Sequence, residues 1–394
     1  MPPAPTTERS RRAILTVAIT AIALETSLLG LIAPLLPEIE ERTGAGDAAL
    51  GLALAAYAIP ILIISIPVGR LADRIGRRPL LLFGLCLTGA GSLLIAFSSS
   101  LEVLLAGRVV QGIGSTASWI AALALVSDLA RPGRKGEAIG FALAANSAGA
   151  VAGPALGGIL GGEISFEAPF LLVTVIAAAM FVAGFVILPR GTRAVADPGD
   201  QGDPRMFAAL LRPEALTPGL VAIAGAAFLG MIDFALPLDL DRRLGTAATA
   251  IGLIFALAAA MDAVASPLAG RRGDRSGRPP VVVTGALVIA ASGVGLAIFG
   301  TLAGAAVALA AFGIGQSILF AGAVPWLDET FGEFNRGLAY GGLNLVYATG
   351  YTVGPLVGGW LLEVASADAA YLLMTGISLA GAAALAARAR PRDG

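Results

Sequence analysis

Charged residues are scarce in this chain: Asp, Glu, Lys and Arg make up 13% of its 394 residues, about half the share that soluble domains carry. Histidine is absent, and Cys86 is the only cysteine. A lone cysteine excludes an internal disulfide, and the lack of histidine leaves proton transfer near neutral pH to carboxyl groups. With 57% hydrophobic residues and a mean hydropathy of +0.84, the chain is predicted to be a polytopic membrane protein.

Long apolar stretches recur along the chain, each close to the roughly 20 residues that a helix needs to cross a bilayer. They are too long for the strands of a membrane barrel, and they lack strict alternation. The pattern therefore predicts an all-α membrane protein with twelve transmembrane helices. The predicted spans are 13–37, 48–69, 79–98, 101–127, 136–162, 167–189, 216–238, 247–270, 279–300, 303–327, 337–362 and 368–388.

The positions of arginine and lysine predict an orientation. If the N-terminus lies inside, most of the 26 Lys and Arg residues fall in cytoplasmic segments. Only Arg42, Arg242 and Arg243 fall in external loops, so both termini are expected to be cytoplasmic. Glu25 interrupts the first apolar stretch, and no small-residue cleavage site follows it. We therefore interpret this stretch as a membrane span rather than a signal peptide.

The second half of the chain repeats the first. A polar stretch at 190–215, with the Pro, Gly and Asp typical of a linker, separates two predicted six-helix bundles at 1–189 and 216–394. A constant offset that holds along both halves indicates a duplication. The matching positions include Gly69 and Gly270, Asp73 and Asp274, Arg74 and Arg275, Asp128 and Glu329, and Gly140 and Gly341.

The repeated motifs resemble those of the major facilitator superfamily of secondary transporters. The loop GRLADRIGRRP after span 2, RVVQGIG in span 4 and GAVAGPALGG in span 5 match motifs of that family. The stretches LLAGRVVQGIGSTAS, EAPFLL, DFALP and YATGYTVGP are similar to its drug:proton antiporter group, and within it to the vesicular monoamine transporter branch. The resemblance implies two pseudo-symmetric six-helix bundles, a monomer, no cofactor, and exchange of protons for a substrate.

Glycines are frequent in spans 5 and 11, although glycine is a poor helix former. In lipid, small residues let helix backbones approach, and proline removes a backbone hydrogen bond and bends a helix. The stretches are interpreted either as tight packing or as pliable interfaces, which the resemblance implies between spans 5 and 8 and between spans 11 and 2. The helix-interface residues are Gly140, Gly149, Gly153, Pro154, Gly157, Gly158, Gly350, Gly354 and Pro355.

The loop motif after span 2 combines an acid with several arginines. A carboxylate there can pair with arginine or lie at the positive N-terminal end of a helix. Anchoring by positive charge would explain the arginines, but it does not explain Asp73 and Gly69 at a fixed spacing. The resemblance implies a cytoplasmic gate that includes an acid at the end of span 4. The predicted gate residues are Gly69, Asp73, Arg74, Arg77, Asp128, Asp274, Arg275 and Glu329.

Four ionisable residues lie deep in predicted spans: Glu25, Arg108, Asp233 and Asp262. A charge at the bilayer centre costs about 2.5–3.5 kcal/mol on insertion scales, so each residue needs a partner or a function. A buried ion pair that only fixes helix packing is one interpretation. One arginine cannot neutralise three carboxylates, so we expect the interior to bind a cation, to hold protons, or to exchange one for the other.

The resemblance assigns roles to several residues. Glu25 falls on the acid that meets a substrate ammonium group, and Asp233 and Arg108 fall on a pair of opposite charge. Asp262 is the candidate for proton coupling in the second half, because Ser317 stands where that branch has an aspartate. The other predicted substrate or coupling residues are Gln111 of the span 4 motif, Asn146, Asn344, which replaces an aspartate of that branch, and Tyr351.

We expect an antiporter that exports lipophilic or cationic amines from the cytoplasm by alternating access. The abundance of Ala and Arg and the scarcity of Lys indicate a GC-rich bacterial genome. The expected membrane is therefore a bacterial plasma membrane. The alternative is a proton-coupled importer or facilitator of a small polar metabolite, which three acids fit poorly. A membrane sensor or adaptor would need a soluble domain, which the sequence lacks. The sequence has no paired nucleophile and base, metal-ligand cluster or nucleotide loop, so no enzyme activity, cofactor, metal or nucleic acid is expected.

Overall fold

A computed structural model describes residues 8–131, 134–189, 213–331 and 336–388. The description of side chains further leaves out residues 135–136, 213–218, 327–331, 336–344 and 387–388. Within the described ranges the regular structure is helical, with no β-strand. The predicted gate residue Glu329 and the predicted site residue Asn344 lie outside the described side chains, so their roles stay predictions.

Twelve long helices run through these ranges, and we number them α1 to α12 in chain order. They are α1 (Glu8–Leu31), α2 (Asp47–Ile75), α3 (Arg77–Ala96), α4 (Leu101–Asp128), α5 (Lys135–Glu163), α6 (Glu167–Ile187), α7 (Pro213–Leu244), α8 (Ala248–Ser276), α9 (Arg278–Ile298), α10 (Leu302–Phe331), α11 (Arg336–Val364) and α12 (Ala367–Arg388). After α1 come a 3-10 turn at Ala33–Leu35 and a short helix at Leu36–Thr43. Each begins with a proline in its first turn, where the missing backbone N–H costs nothing.

Among the described residues, eleven helices are long and apolar enough to cross a membrane. The remaining predicted span, 337–362, falls within α11. Predicted span 1 extends to residue 37, but α1 ends at Leu31, because Pro34 interrupts its hydrogen bonds. Helix α7 continues beyond its apolar stretch to Leu244, since polar residues at its end find partners there.

Glycines with positive φ end helices at equivalent places in the two halves. Gly76, between α2 and α3, has φ +94°, and Gly277, between α8 and α9, has φ +82°. At the other end of the helices, Gly44 and Gly245 have φ values of 62° and 59°. Side chains disfavour this left-handed region, so glycine permits these tight turns. The repeated glycines therefore reflect a repeated backbone conformation.

The described residues divide into two compact units, within Met1–Ala45 plus Ala56–Asp197 and within Gly46–Ala55 plus Pro198–Gly394. In the first unit, α1 packs against α4 and α5, and α3 packs against α4 and α6. In the second unit, α7 packs against α10 and α11, and α9 packs against α10 and α12. Equivalent helices therefore meet in each unit. The predicted bundle boundaries, with a linker at 190–215, stay predictions.

Three glycines of α5, four residues apart, lie against α1 at backbone distance. A Cβ atom on any of them would collide with a backbone carbonyl of α1, because the missing side chains of these glycines let the two helix backbones approach. The contacts pair Gly149 with Ala23, Gly153 with Ser27, and Gly157 with Leu31. These neighbours belong to α1; the interface with span 8 that the resemblance implies stays a prediction, because α5 and α8 belong to different units. Gly158 is buried. Gly140 is not part of this row of contacts, since a Cβ atom there would meet nothing within 4 Å.

Helix α11 repeats this arrangement against α7. Its stripe of glycines, again four residues apart, lies against the α7 backbone and side chains. The contacts pair Gly350 with Ile223, Gly354 with Ala227, and Gly358 with Met231. The ring of Pro355 lies against Gly230, just as the ring of Pro154 lies against Gly30 in the first unit. The glycine motif is thus a packing element of each unit, which brings α1 close to α5 and α7 close to α11.

Candidate functional site

Glu25, in α1, is buried, with 1% of its surface exposed. Its carboxylate accepts hydrogen bonds from hydroxyl groups of α3 and α4, among them Ser118 Oγ at 2.5 Å and Thr88 Oγ1 at 3.1 Å. The glycines of α3 and α4 position these donors, because Gly84 lies against the backbone of Ser118 and Gly114 against that of Thr88. The donors are neutral, and among the described residues Glu25 forms no ion pair with Lys or Arg.

Arg108 and Gln111 of α4 lie together in a buried polar cluster, each with 1% of its surface exposed. Arg108 Nη1 donates to Gln111 Oε1 at 2.9 Å, and Gln111 Nε2 donates to Ser92 Oγ of α3 at 2.9 Å. The guanidinium carbon of Arg108 lies 4.5 Å from the centroid of the Tyr57 ring, within the range of a cation–π interaction. Two predicted site residues are therefore held next to each other.

Two further side chains bind α1 to its neighbours around Glu25. Tyr57 Oη, from α2, lies 2.7 Å from Ser115 Oγ and 3.3 Å from the backbone oxygen of Glu25. Thr26 Oγ1 donates to Asn146 Oδ1 of α5 at 2.7 Å. Asn146, which the sequence placed among the candidate site residues, is therefore adjacent to the helix segment that holds Glu25.

Asp233 of α7 is the buried acid of the second unit, with 6% of its surface exposed. Tyr351 Oη of α11 donates to Asp233 Oδ2 at 2.7 Å. The close approach of α7 and α11, where Gly354 lies against the carbonyl of Ala227, allows this bond. Asp233 and Tyr351, both predicted site residues, thus lie together. The pairing of Asp233 with Arg108, which the resemblance implies, stays a prediction because the two residues belong to different units.

Asp262 of α8 is half-buried beside α10. Ser317 Oγ of α10 donates to the backbone oxygen of Asp262 at 3.0 Å. The helices approach closely here, because Gly313 of α10 lies against the carbonyl of Ala258. The structure therefore places Asp262 next to Ser317, which stands where the related branch has an aspartate. The predicted role of Asp262 as the substitute for that aspartate in proton coupling stays a prediction.

The acids Glu25 and Asp233 are each suited to bind one monovalent cation. Among the described residues, no group of three His, Cys, Asp or Glu could hold a metal ion. Each buried carboxyl has hydroxyl donors that can rotate, so each can accept hydrogen bonds when ionised and donate or accept them when protonated. The arrangement can therefore bind either a proton or one organic cation at each carboxyl.

Arg77 joins the two predicted gate acids of the first unit. Its Nη1 lies 2.5 Å from Asp73 Oδ1, and its Nε lies 3.3 Å from Asp128 Oδ2 at the end of α4. Arg77 is nearly buried, whereas Arg74 is exposed. A Cβ atom on Gly69 would meet nothing within 4 Å, so no close packing at Gly69 explains its place in the motif.

The second unit repeats part of this cluster. Arg278 Nη1 lies 2.9 Å from Asp274 Oδ1, across the turn that contains Gly277. Arg275 is exposed, and Glu329, the counterpart of Asp128, lies outside the described side chains. In both units the acid therefore pairs with the arginine four residues later, after the positive-φ glycine.

We expect Arg77→Gln to lower the thermal stability of the purified protein, because two carboxylates lose the cation they share. Both carboxylates are partly exposed, so the expected loss is about 1 kcal/mol. Circular dichroism during heating in detergent measures it. Arg74→Gln, which removes an exposed arginine of the same loop, should leave the midpoint unchanged. Equal midpoints for both variants would contradict the bridging role of Arg77.

A partly buried ionic network at the end of α7 was missed by the sequence analysis. Asp239, with 6% of its surface exposed, accepts hydrogen bonds from Arg243 Nε at 2.6 Å and Tyr371 Oη at 3.3 Å. Arg243 also lies 2.5 Å from Asp368 at the start of α12. The sequence signal was the spacing of Asp239 and Arg243, four residues apart on one helix face. The hydroxyl donors of Glu25 were missed as well.

Comparison with known proteins identifies the family. The chain matches the family model described as Major Facilitator Superfamily over residues 15–238 and 219–394. Multidrug resistance protein 1 of Bacillus subtilis (strain 168) is 23% identical over 353 residues, which cover 89% of this chain and 90% of that protein. Tetracycline resistance protein, class D, of Salmonella ordonez is 30% identical over 279 residues, 66% of this chain and 68% of that protein.

A shorter match involves the Inner membrane transport protein YajR of Escherichia coli (strain K12). It is 41% identical over 98 residues, 25% of this chain, and spans about a fifth (21%) of the length of that protein. These relatives support the predicted drug:proton antiporter group, whereas the vesicular monoamine transporter branch stays a prediction.

The fold is also found among solved structures. The crystal structure of a bacterial homolog to human lysosomal transporter, Spinster, in an inward-facing and occupied conformation gives a TM-score of 0.83, with 98% of this chain and 99% of that chain covered. At 16% identity this likeness shows the fold alone. The predicted all-α membrane fold is confirmed, and the protein is a transporter rather than an enzyme. This multi-pass membrane protein belongs to the Major Facilitator Superfamily.

Proposed function

We propose that this protein is a proton-coupled antiporter that exports lipophilic or cationic amines by alternating access. The names of two relatives support drug efflux, since one is a multidrug and the other a tetracycline resistance protein. The proposed membrane is a bacterial inner membrane, with both termini in the cytoplasm. The substrate class, the coupling and the orientation all belong to this proposal.

The observation that carries the proposal is the environment of the two buried acids. Glu25 is bonded by Ser118 and Thr88, and Asp233 is bonded by Tyr351. All three donors are neutral, so the hydrogen bonds leave the charge of an ionised carboxylate uncompensated. A charge in such a site is costly unless it is neutralised or paired, and either a bound proton or an organic cation lowers that cost.

This competition gives a transport cycle. At the external face a proton binds a carboxyl group and displaces the amine, which leaves the protein. At the cytoplasmic face the proton departs and a cationic amine takes its place. Export of the amine is therefore linked to proton entry, and exchange of two protons for one monovalent cation would also use the membrane potential, worth about 2.3 kcal/mol per net charge per 100 mV.

The cluster of Arg77, Asp73 and Asp128 fits a gate in this cycle. Its ion pairs join the turn after α2 to the end of α4, and they are partly exposed. Pairs of this kind break and form at low cost, because water solvates the separated charges. We propose that they close the cytoplasmic side in one state and separate in the other.

Proton flux in liposomes tests the proposal. The purified protein is reconstituted with a trapped pH dye, a proton gradient is imposed, and a panel of lipophilic amines is added. We expect amine-dependent proton movement that Asp233→Asn abolishes and Tyr351→Phe weakens, since the phenylalanine removes only the hydrogen bond to the acid. Asp241→Asn, a half-buried acid eight residues later in α7, is the matched control and should transport normally.

Two outcomes would overturn this proposal. Amine transport that ignores the proton gradient and survives Asp233→Asn would indicate a facilitator, with Asp233 as a structural acid. Proton-coupled uptake of a neutral or anionic metabolite, with no response to amines, would favour the importer of a small polar metabolite.

A further inference from the structure

A groove of about 350 Å³ lies in the second unit, between α7, α9, α10 and α12. Its volume falls within the range of about 300–1,000 Å³ that is typical of pockets for drug-sized ligands, and its walls are mainly apolar, as in such pockets. The lining residues that matter here are Leu220, Ala224, Gly225, Ala286, Leu319 and Gly381. The proposed function assigns no role to any of them.

Matching contacts show which residues of the two units are equivalent. Thr174 of α6 donates to the carbonyl oxygen of Gly89 at 3.2 Å, and Thr375 of α12 donates to that of Ala290 at 3.3 Å. The glycine stripes pair α1 with α7 in the same way. In addition, a Cβ atom on Gly84 would collide with the backbone of Ser118, as one on Gly285 would with that of Leu319.

Residue size differs between the two units at several positions that line the groove. Leu319 is larger than its equivalent Ser118, but at three other positions the first unit has a large apolar side chain and the second a small one. The equivalent pairs are Leu24 and Ala224, Leu85 and Ala286, and Met180 and Gly381. Protein interiors are normally filled to high density, so the loss of three large side chains at one place leaves a space that another molecule can fill.

A buried amide lies behind two of the residues that line this space. Gln316 of α10 has 8% of its surface exposed, and neither its Nε2 nor its Oε1 has a hydrogen-bond partner among the described residues. Its Oε1 lies 3.4 Å from the place where a Cβ atom of Gly225 would be, and a methyl group of Leu319 lies equally close. Gly225 and Leu319 both line the groove. The amide therefore lies directly behind the wall of the groove at Gly225, where no side chain intervenes.

The rim of the groove is exposed and apolar. Leu220 has 61% and Ile377 has 41% of its surface exposed. Exposed apolar side chains on a membrane-spanning helix face the hydrocarbon of the bilayer. A molecule would therefore enter from the lipid, and only a lipophilic molecule is concentrated there.

We propose that this groove binds a lipophilic amine that enters from the bilayer, with its apolar part against α7 and α12 and its nitrogen donating a hydrogen bond to Gln316 Oε1. A buried amide oxygen without a partner is costly, and such an occupant satisfies that oxygen. The class of occupant rests on the proposed function, whereas the groove and the amide do not. At this site the second unit binds substrate that comes from the membrane.

Photolabelling in lipid nanodiscs tests this site without any proton gradient. The probe is dodecylamine with a diazirine on its chain, and mass spectrometry maps the labelled peptides. We expect labelling of 220–225 and 377–384 that excess unlabelled dodecylamine prevents. Gln316→Leu should weaken this labelling about fivefold, the effect of losing roughly one hydrogen bond. Gln316→Leu should not change labelling by a second probe that carries the same diazirine chain but no amine.

Filling the groove gives a second measurement. Ala224→Leu introduces the residue that the first unit carries at the equivalent position, and it should reduce competed labelling to the level of other lipid-facing helices. Ala384→Leu fills the same groove from α12, and this variant is used instead if Ala224→Leu does not fold. Ala383→Leu is the matched control, because Ala383 is exposed on α12 but does not line the groove.

The outcomes separate this site from the transport mechanism. Labelling that extra phospholipid displaces but dodecylamine does not would assign the groove to lipid chains and overturn the proposal. Labelling spread evenly over all exposed helices, or unchanged by Ala224→Leu and Ala384→Leu, would overturn it as well. Competed labelling in a protein that moves no protons would support the groove and contradict only the proposed coupling.

Discussion

Glu25→Gln is expected to reduce amine-driven proton movement to the rate of protein-free liposomes while the protein stays folded. Glutamine keeps the shape of the side chain and still accepts hydrogen bonds from Thr88 and Ser118, whose hydroxyls can also accept from its amide. What it loses is the ability to gain and release a proton. Because the acid has no described cationic partner, its replacement leaves no buried charge unpaired.

Two further variants make this result specific to the carboxyl group. Glu102→Gln removes an exposed acid near the start of α4 and should leave proton movement intact. Thr88→Val removes one donor to Glu25 but retains the acid. It should therefore shift the pH at which transport is half-maximal rather than abolish transport. Normal proton coupling by Glu25→Gln, in protein that melts like the unmodified chain, would contradict the role of Glu25.

The sequence indicates the buried acids but not what surrounds them. Glu25 stands out because an acid within a long apolar stretch is rare. Thr88 and Ser118 do not stand out, because hydroxyl residues are common in membrane helices and bond to their own backbone. Their proximity to Glu25 depends on how α1, α3 and α4 pack, and they lie 63 and 93 residues away from it in the chain.

The glycine motifs likewise predict a local feature, the shape of a helix face, but not the helix that packs against it. Their spacing of four predicts a flat helix face that another helix can approach. It does not identify that helix: Gly149 and Gly350 lie against α1 and α7. Gly76 and Gly277 are easier to interpret, because a turn between two spans needs a backbone conformation that glycine alone adopts readily.

The two halves share the packing of their helix backbones but not the side chains of the candidate site. Matching glycines hold α3 to α4 and α9 to α10 in the same way, yet the residues beside them differ. Ser118, which binds Glu25, corresponds to Leu319, which lines the groove of the second unit. Backbone contacts tolerate almost no change, because a single added Cβ atom collides, whereas side chains that face a cavity can vary. The repeat therefore predicts the packing of the second unit better than its chemistry.

The closeness of α1 and α5 leads to a prediction about stability. Gly153→Ala should destabilise the protein, because the new Cβ atom would collide with the carbonyl group of Ser27, and a backbone atom cannot move without shifting the whole helix. Overpacking of this kind costs about 1–3 kcal/mol, which corresponds to a fall of roughly 2–12 °C in the melting midpoint of a unit of this size. Heating the purified protein and following its helical circular dichroism measures it.

Gly140→Ala is the control, because it makes the same chemical change in the same helix. Nothing lies within 4 Å of a Cβ atom at Gly140, so alanine there should only improve helix propensity and leave the midpoint equal or slightly higher. Opposite signs for the two variants would show that contact with α1, and not the intrinsic preference of glycine, explains the motif. Equal midpoints would mean that α5 moves away from α1 easily, and the glycines would then have to be explained by motion of the helix rather than by its packing.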